Sequence, residues 1–211
     1  MSRTETRKAG HGTNALHAWI STGKARVFLV GVGCVGKTTI GGVLAEKLGI
    51  KFIDLDEEIE RAFGQGIGTI QKRFLTDYSY RIEAAKILKN VLAKNADTSF
   101  VLALAPSGLR DAYLRVVKKA HAVVVALEDR PVNIVNRADF YDDDGKKLEV
   151  KLTDRERRLH VEDTRKDIAY FDKSYVRAQI RVDLDGAGVE ESAEKIELEL
   201  ERWAATRVDG E

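Results

Sequence analysis

The 211-residue chain predicts one α/β domain, with helices on both faces of a parallel sheet. Three observations carry the prediction. Five short apolar runs of strand character alternate with segments of helical periodicity. Three of those runs, 26–31, 99–105 and 121–127, are apolar at successive positions, as strands covered on both faces must be. A glycine-rich turn, residues 31–38, lies between the first run and the first helical segment. Parallel sheets bind their ligands at such strand ends.

The elements follow in order. Arg26-Val-Phe-Leu-Val-Gly31 is a buried strand that stops in glycine. Ile40, Val43, Leu44 and Leu48 recur at helical spacing, so Lys37 to Leu48 is a helix, closed by Gly49. Lys51-Phe-Ile-Asp-Leu-Asp56 is a second strand ending in acids, Glu57 to Phe63 a charged helix, and Gly64 to Gly68 a turn. Ile82, Ala85, Leu88, Val91 and Leu92 share a face, which makes Tyr80 to Leu92 a helix. The strand Ser99 to Ala105 is broken by Pro106-Ser107-Gly108, and a helix covers Leu109 to Lys119. His121 to Leu127 is the fourth strand. A charged stretch from Asp139 to Glu156 has Asp142 to Gly145 as its loop tip. A long helical region spans Arg157 to Arg177, with Tyr170, Phe171 and Tyr175 read as core. Gln179 to Leu184 is the fifth strand, and an acidic helix from Val189 to about Ala204 closes the domain.

Composition bounds the function. Thirty-five basic and 34 acidic residues leave a net charge of +1, which argues against a nucleic-acid binder. No run approaches the ~20 apolar residues of a membrane span. The lone Cys34 excludes an internal disulfide framework and a cysteine-based zinc site, and makes the cytoplasm the expected compartment. Residues 1–25 read as a flexible or short-helical arm, in which Ala15, Leu16, Trp19 and Ile20 can form one amphipathic turn. Residues 26–211 form the domain. The arm through Arg26 holds five basic residues against one acid, and residues 185–211 hold three against nine.

Gly31-Val-Gly-Cys-Val-Gly-Lys37-Thr38 matches GxxxxGK[ST], the phosphate-cradling P-loop. Glycines let backbone N–H groups point inward around phosphates, and the following helix N-terminus adds a favourable dipole. Gly31, Gly33, Cys34, Val35, Gly36, Lys37, Thr38 and Thr39 are the nucleotide-binding candidates. Lys37 can reach the β- and γ-phosphates of ATP, and the Thr38 hydroxyl can ligate Mg²⁺. Gly31, Gly33 and Gly36 also spell GxGxxG, with Asp54 at the offset where a dinucleotide fold places its ribose-binding acid. Lys37-Thr38 directly after the last glycine favours the triphosphate reading. At strand spacing Asp54 and Asp56 point the same way, toward the site. One can hold Mg²⁺ through water and the other can accept a hydrogen bond from a substrate hydroxyl. Asp56 before Glu57-Glu58 also suits a helix start. Cys34 is either a thiol whose pKa is depressed by Lys37 and the helix N-terminus or a small residue at a variable loop position.

The run Phe28 to Ile40, then Leu44-Ala-Glu-Lys-Leu-Gly49, then Phe52-Ile-Asp-Leu-Asp-Glu-Glu-Ile59, resembles the shikimate kinase family. The resemblance is dense over residues 26–60 and architectural beyond them. It implies a three-layer P-loop fold with a five-stranded parallel sheet in the order 2-3-1-4-5 and a lid, here about residues 139–160. It implies transfer of the ATP γ-phosphate to a shikimate hydroxyl, a step in aromatic amino acid biosynthesis. Lys37 and Thr38 would then serve ATP and Mg²⁺, Asp54 would assist the metal, and Asp56 would orient the acceptor hydroxyl and act as base.

The sequence departs from the family in its acceptor-reading half. Aligning Arg81-Ile82-Glu83 puts Tyr80 where the family's substrate arginine stands, and shifting by one puts Arg81 there. The family's glycines after the third strand are replaced by Ala105-Pro106-Ser107 before Gly108, leaving Ser107 and Gly108 as substrate candidates. Arg137 falls where the family stacks an arginine on adenine, and alternatively is a solvated helix-end residue. The lid candidates are Arg155, Arg157 and Arg158, of which Arg158 is taken as catalytic. Arg165 or Arg177, with Arg165 preferred, is the acceptor-binding arginine. The expected protein is thus a monomeric kinase of a small-molecule hydroxyl acceptor. The alternatives are a kinase of the same fold for another polyol or sugar acid, and an inactive nucleotide-binding regulator.

Overall fold

The computed structural model describes residues 15–141, 147–148 and 150–208. Residues 15–21 form helix α1. Its Leu16 is fully buried, and Trp19 packs on Trp203 with ring centroids 5.0 Å apart. The packed unit therefore reaches back past Arg26. β1 (Arg26–Val30), α2 (Lys37–Leu48), β2 (Lys51–Asp54), α3 (Leu55–Phe63), α4 (Ile67–Lys72), α5 (Asp77–Lys94) and β3 (Phe100–Ala103) follow. Then come α6 (Asp111–Lys119), β4 (Val123–Glu128), α7 (Pro131–Arg137), β5 (Phe140–Tyr141), β6 (Lys147–Leu148), α8 (Asp154–Tyr175), β7 (Ile180–Asp183) and α9 (Val189–Val208).

The five central strands are parallel in the order β2-β3-β1-β4-β7, which is 2-3-1-4-5 in chain order. Only right-handed helical crossovers join such strands readily. β1 and β3 lie between other strands and are apolar nearly throughout, and Phe28, Leu29, Val101 and Leu102 have no exposed surface. The order also decides between the two readings of the glycine turn. A dinucleotide fold pairs its first two strands directly, whereas β3 separates β1 from β2 here.

Local chemistry sets the helix ends. Gly49 closes α2 in the left-handed region at φ 64°. Thr76 with Ser79, and Thr153 with Glu156, form capping boxes that start α5 and α8. Both helices therefore begin a turn or so before their apolar periodicity, at Asp77 and Asp154 rather than Tyr80 and Arg157. Two short helices, α4 and α7, lie where the sequence reading assigned no helix; the expected Gly64–Gly68 turn runs into the start of α4. Pro131 opens α7 at a position where its missing N–H costs no bond.

α2 lies very close to the sheet at Gly41. A Cβ there would come within 2.6 Å of Phe52 Cε2 and 3.0 Å of Leu29 Cδ1. Gly41→Ala should lower stability by about 1–3 kcal/mol through overpacking, read as a shift of the urea midpoint with unchanged slope. An unchanged midpoint would show that α2 can move away from the sheet at no cost.

Within the expected lid, β5 and β6 pair antiparallel, Phe140 opposite Leu148 and Tyr141 opposite Lys147. The expected loop tip, residues 142–145, lies outside the described residues. Among the described residues no helix is long and apolar enough to cross a membrane.

Candidate active site

The carboxyl ends of β2 and β3, the turns that follow β1 and β7, and α7 surround one cavity of about 870 Å³. Gly33, Cys34, Gly36, Lys37, Thr38 and Thr39 form its floor. Gly36 adopts φ 106°, a conformation in which a side chain would also meet Ile40. That turn aims the first backbone N–H groups of α2 into the cavity. Gly31 and Val35 contribute through carbonyls. Lys37 Nζ donates to Gly31 O at 2.8 Å and to Val32 O at 2.9 Å, while Val35 O accepts from Arg137 Nη1 at 3.5 Å. The Val35 side chain itself is core. Burial lowers the Lys37 pKa, opposed by Asp56, Asp54 and Cys34.

Opposite the loop stand the two acids. Thr38 Oγ1 donates to Asp54 Oδ2 at 2.6 Å, and the Asp56 N–H donates to Asp54 Oδ1 at 2.9 Å. Asp54 therefore caps α3 with one oxygen and binds the P-loop threonine with the other. This corrects one expectation: Asp56 is not at strand spacing from Asp54 but in the first turn of α3. Both acids nevertheless line the cavity. Burial, followed by the neighbouring Asp54 charge, pushes the Asp56 carboxyl up to about 6, with Lys37 opposing. A carboxylate tuned to that range is ionised at neutral pH yet basic enough to take a proton from a hydroxyl.

An ion site made of one hydroxyl and two carboxylates offers oxygen donors only, the chemistry that Mg²⁺ takes alongside water and phosphate oxygens. Thr38 with Asp54 fits that role. Among the described residues there is no cluster of three or more His, Cys, Asp or Glu suited to a protein-only metal cage.

Of the third wall, only Arg137 was foreseen. Asn133, Asn136 and Arg137 from α7 face Gly186, Ala187, Gly188 and Val189 from the turn after β7. The signal was present in the sequence as Asp185-Gly-Ala-Gly188, a glycine-rich turn leaving a strand at the same sheet edge as the P-loop. Arg137 lines this wall and is no free helix-end residue. Its Nη2 donates to the buried Asp129.

Several expected acceptor residues sit elsewhere. Tyr80 is 7% exposed, edge-on to Phe74 in the core and outside the cavity lining. Burial, then Asp56, raises its phenol to about 12. Arg81 is drawn away to Asp111 at 3.0 Å and Asp77 at 3.7 Å. Pro106 lines the cavity in place of Ser107 and Gly108, and its carbonyl accepts from Tyr175 Oη at 3.0 Å. A Cβ on Gly108 would meet Leu104 at 2.8 Å, so that glycine serves packing. Arg165 pairs with Glu162 one helical turn away and lines a separate cavity with Arg181 and Asp183. Arg177 lines another, with Arg110 and Lys173. Tyr170 is 56% exposed under the Arg110 guanidinium, so it is not core.

The lid arginines divide differently from expectation. Arg158 lies exposed on α8, outside the cavity lining. Its neighbour Arg157 donates through Nη1 to Asn136 Oδ1 at the cavity wall. Successive helix residues point about 100° apart, so of the two Arg157 meets a cavity-wall residue, while neither lines the cavity itself.

Cys34 lines the floor at φ 59°. The residue is exposed, but its thiol lies in the cleft, where lost hydration outweighs the pull of Lys37 and raises its pKa. The thiol is thus not activated. Iodoacetamide labelling should be slow at neutral pH, speed up as pH is raised, and be suppressed about tenfold or more by ATP·Mg²⁺. Unchanged labelling under saturating nucleotide would show that Cys34 does not face the phosphates.

Comparison with known proteins follows the same lines. The family model "Shikimate kinase" matches residues 33–201. The shikimate kinase of Thermodesulfovibrio yellowstonii is 30% identical over 183 residues, covering 83% of this chain and 95% of that protein. A shorter match, 43% identical over 75 residues, joins it to the shikimate kinase of Macrococcus caseolyticus and covers 36% of this chain but only 42% of that relative. Among solved structures, the shikimate kinase from Acinetobacter baumannii in complex with shikimate superimposes with a TM-score of 0.66 at 26% identity, covering 86% of this chain and 94% of the other.

Proposed function

This chain belongs to the shikimate kinase family, and on that premise we propose that it transfers the γ-phosphate of ATP to a hydroxyl of shikimate. The observation that carries the reading is the convergence of Lys37, Thr38, Asp54 and Asp56 on one cavity at the end of β1 and β2. Each has a role. On ATP binding, Lys37 exchanges its two loop carbonyls for the β- and γ-phosphate oxygens. The N–H groups of the P-loop and the start of α2 hold the same phosphates. Thr38 and Asp54 would hold Mg²⁺, which when bound would supply charge neutralisation to the transferring phosphoryl group. Asp56 accepts a hydrogen bond from the acceptor hydroxyl, aligns its oxygen with the γ-phosphorus and takes its proton as the new O–P bond forms and the bond to the β,γ-bridging oxygen breaks, with ADP leaving. Arg157, whose Nη1 donates to Asn136 Oδ1 at the cavity wall, is favoured over Arg158 as the arginine that closes over the phosphates. The reading is of a monomer acting in the cytoplasm, where the lone Cys34 would stay reduced.

One observation favours a second reading. Among the described residues lining the cavity, the cations are Lys37 and Arg137, both beside the phosphate loop. Tyr80 stands buried, Arg81 is paired with Asp111, and Arg165 is in another cavity. A carboxylate acceptor is best held by a bidentate arginine, so the alternative acceptor is a polyol, or a sugar acid recognised through its hydroxyls rather than its carboxylate. An inactive regulator is disfavoured by the retention of all four catalytic groups. ADP release, followed with purified protein and Mg²⁺ against shikimate, quinate, gluconate and nucleoside monophosphates, separates the three. Shikimate alone giving ordinary kinase turnover supports the first reading. Gluconate or quinate outpacing shikimate selects the second. ATP binding with no stimulation by any acceptor selects the regulator.

A further inference from the structure

Asp129 follows directly after β4 and has no exposed side-chain surface. It is not in the cavity lining and has no role in phosphate transfer. Yet it is the most heavily engaged carboxylate of the site region. Its Oδ1 accepts from Asn133 Nδ2 at 2.6 Å, from the Arg130 N–H at 2.7 Å and from the Gly186 N–H at 3.2 Å. Its Oδ2 accepts from Arg137 Nη2 and from the Gly186 N–H at 3.3 Å. One buried carboxylate thus ties α7 to the turn after β7. Arg137 in turn reaches the P-loop at Val35 O. The fastening is tight, because a side chain on Gly186 would crowd the Asn133 amide at 3.0 Å.

The position of this wall fixes what it faces. The phosphates occupy the P-loop, and the γ-phosphate end is marked by Asp54 and Asp56. The nucleoside therefore extends along the remaining wall, made of Asn133, Asn136, Arg137 and Gly186–Val189. We propose that Asp129 is the positioning residue of the nucleoside subsite: it fixes the Arg137 guanidinium and the 186–188 turn in one geometry before ATP arrives. A buried carboxylate holding an arginine in place loses little on ligand binding, so the wall is preorganised rather than assembled at each turnover. Removing the carboxylate leaves Arg137 free to seek other partners and the Gly186 N–H without its acceptor. The proposal rests on the nucleotide reading of the cavity given above.

The test compares ADP with inorganic tripolyphosphate, which fills the phosphate loop but carries no nucleoside. Calorimetry on the full chain should show Asp129→Ala weakening ADP by about tenfold or more while tripolyphosphate changes by less than about twofold. Arg137→Ala should weaken ADP similarly, and the double variant should be no worse than the more damaged single one, since the two act as a unit. Steady-state kinetics should show a raised KM for ATP with the KM for acceptor unchanged. Asp129→Asn, which keeps the shape and one carbonyl acceptor, should show a smaller loss of the same selectivity and serves if the alanine variant folds poorly. Unchanged ADP affinity in both Asp129 variants would overturn the proposal, as would equal losses for ADP and tripolyphosphate. Failure of the wild-type protein to bind either ligand would instead overturn the nucleotide reading itself.

Discussion

Lys37→Met should reduce kcat by about 10³-fold while leaving the fold intact. The Lys37 ammonium is half-buried at the cavity floor and donates to Gly31 O and Val32 O. Burial penalises its charge, and Asp56 and Asp54 supply the main opposing attraction. Such a cation is held in a costly state for use elsewhere. Its transfer to phosphate oxygens strengthens as negative charge spreads over the transferring group, and that differential interaction lowers the barrier. Methionine fills the volume without the charge and removes the burial penalty, so the thermal midpoint should hold or rise. Lys37→Arg should not rescue turnover, because a planar fork cannot take the place of a point charge inside the loop. Retention of more than about a tenth of the wild-type kcat in the methionine variant would contradict a phosphate-loop mechanism.

Asp56→Asn should lower kcat by about 10²–10⁴-fold, the range for loss of a general base, with the KM for ATP little changed. It should also stabilise the protein. The folded-state pKa of Asp56 is about 6 against an ordinary value of 3.8, so the folded chain holds this proton more tightly than the unfolded one. The stability that this group contributes is fully present below about pH 4 and is lost as pH rises through about 6. At pH 7 the neutral amide should therefore be more stable than wild type by roughly 2 kcal/mol. That gain should vanish at pH 4. Wild-type kcat/KM should fall on the acid side as the Asp56 carboxylate becomes protonated. An asparagine variant that is both active and no more stable at pH 7 would remove Asp56 from the role of base.

Much of this was legible because it rests on short-range chemistry. Alternating apolar runs located the five strands of the central sheet, and GxxxxGK[ST] between a strand and a helix located the phosphate loop. Their lateral order was not in the periodicity. It came with the resemblance, and β3 does lie between β1 and β2. Asp56 was misplaced by one element because the residue that ends the strand also caps the next helix. The carboxylate of Asp54 takes the Asp56 N–H, and the helix starts two residues early. The acceptor side was least legible. Arg81 and Arg165 are long cations whose partners, Asp111 and Glu162, decide where they point, and the Arg81 partner lies on another helix. Arg157 and Arg158 differ by about 100° about the α8 axis, and which of them meets Asn136 is set by how α8 packs on α7, a tertiary contact no local pattern shows. The nucleoside wall joins α7 to a turn about fifty residues later through Asp129, a pairing that no local pattern announces.

The most direct test of transfer to shikimate is ³¹P NMR of purified protein with ATP, Mg²⁺ and shikimate at neutral pH. The expected spectrum shows ADP and one new phosphomonoester resonance growing in equal amounts, both abolished in Lys37→Met and nearly so in Asp56→Asn. ADP appearing only with inorganic phosphate, or no consumption of ATP while gluconate under the same conditions gives a phosphomonoester, would contradict shikimate as the acceptor.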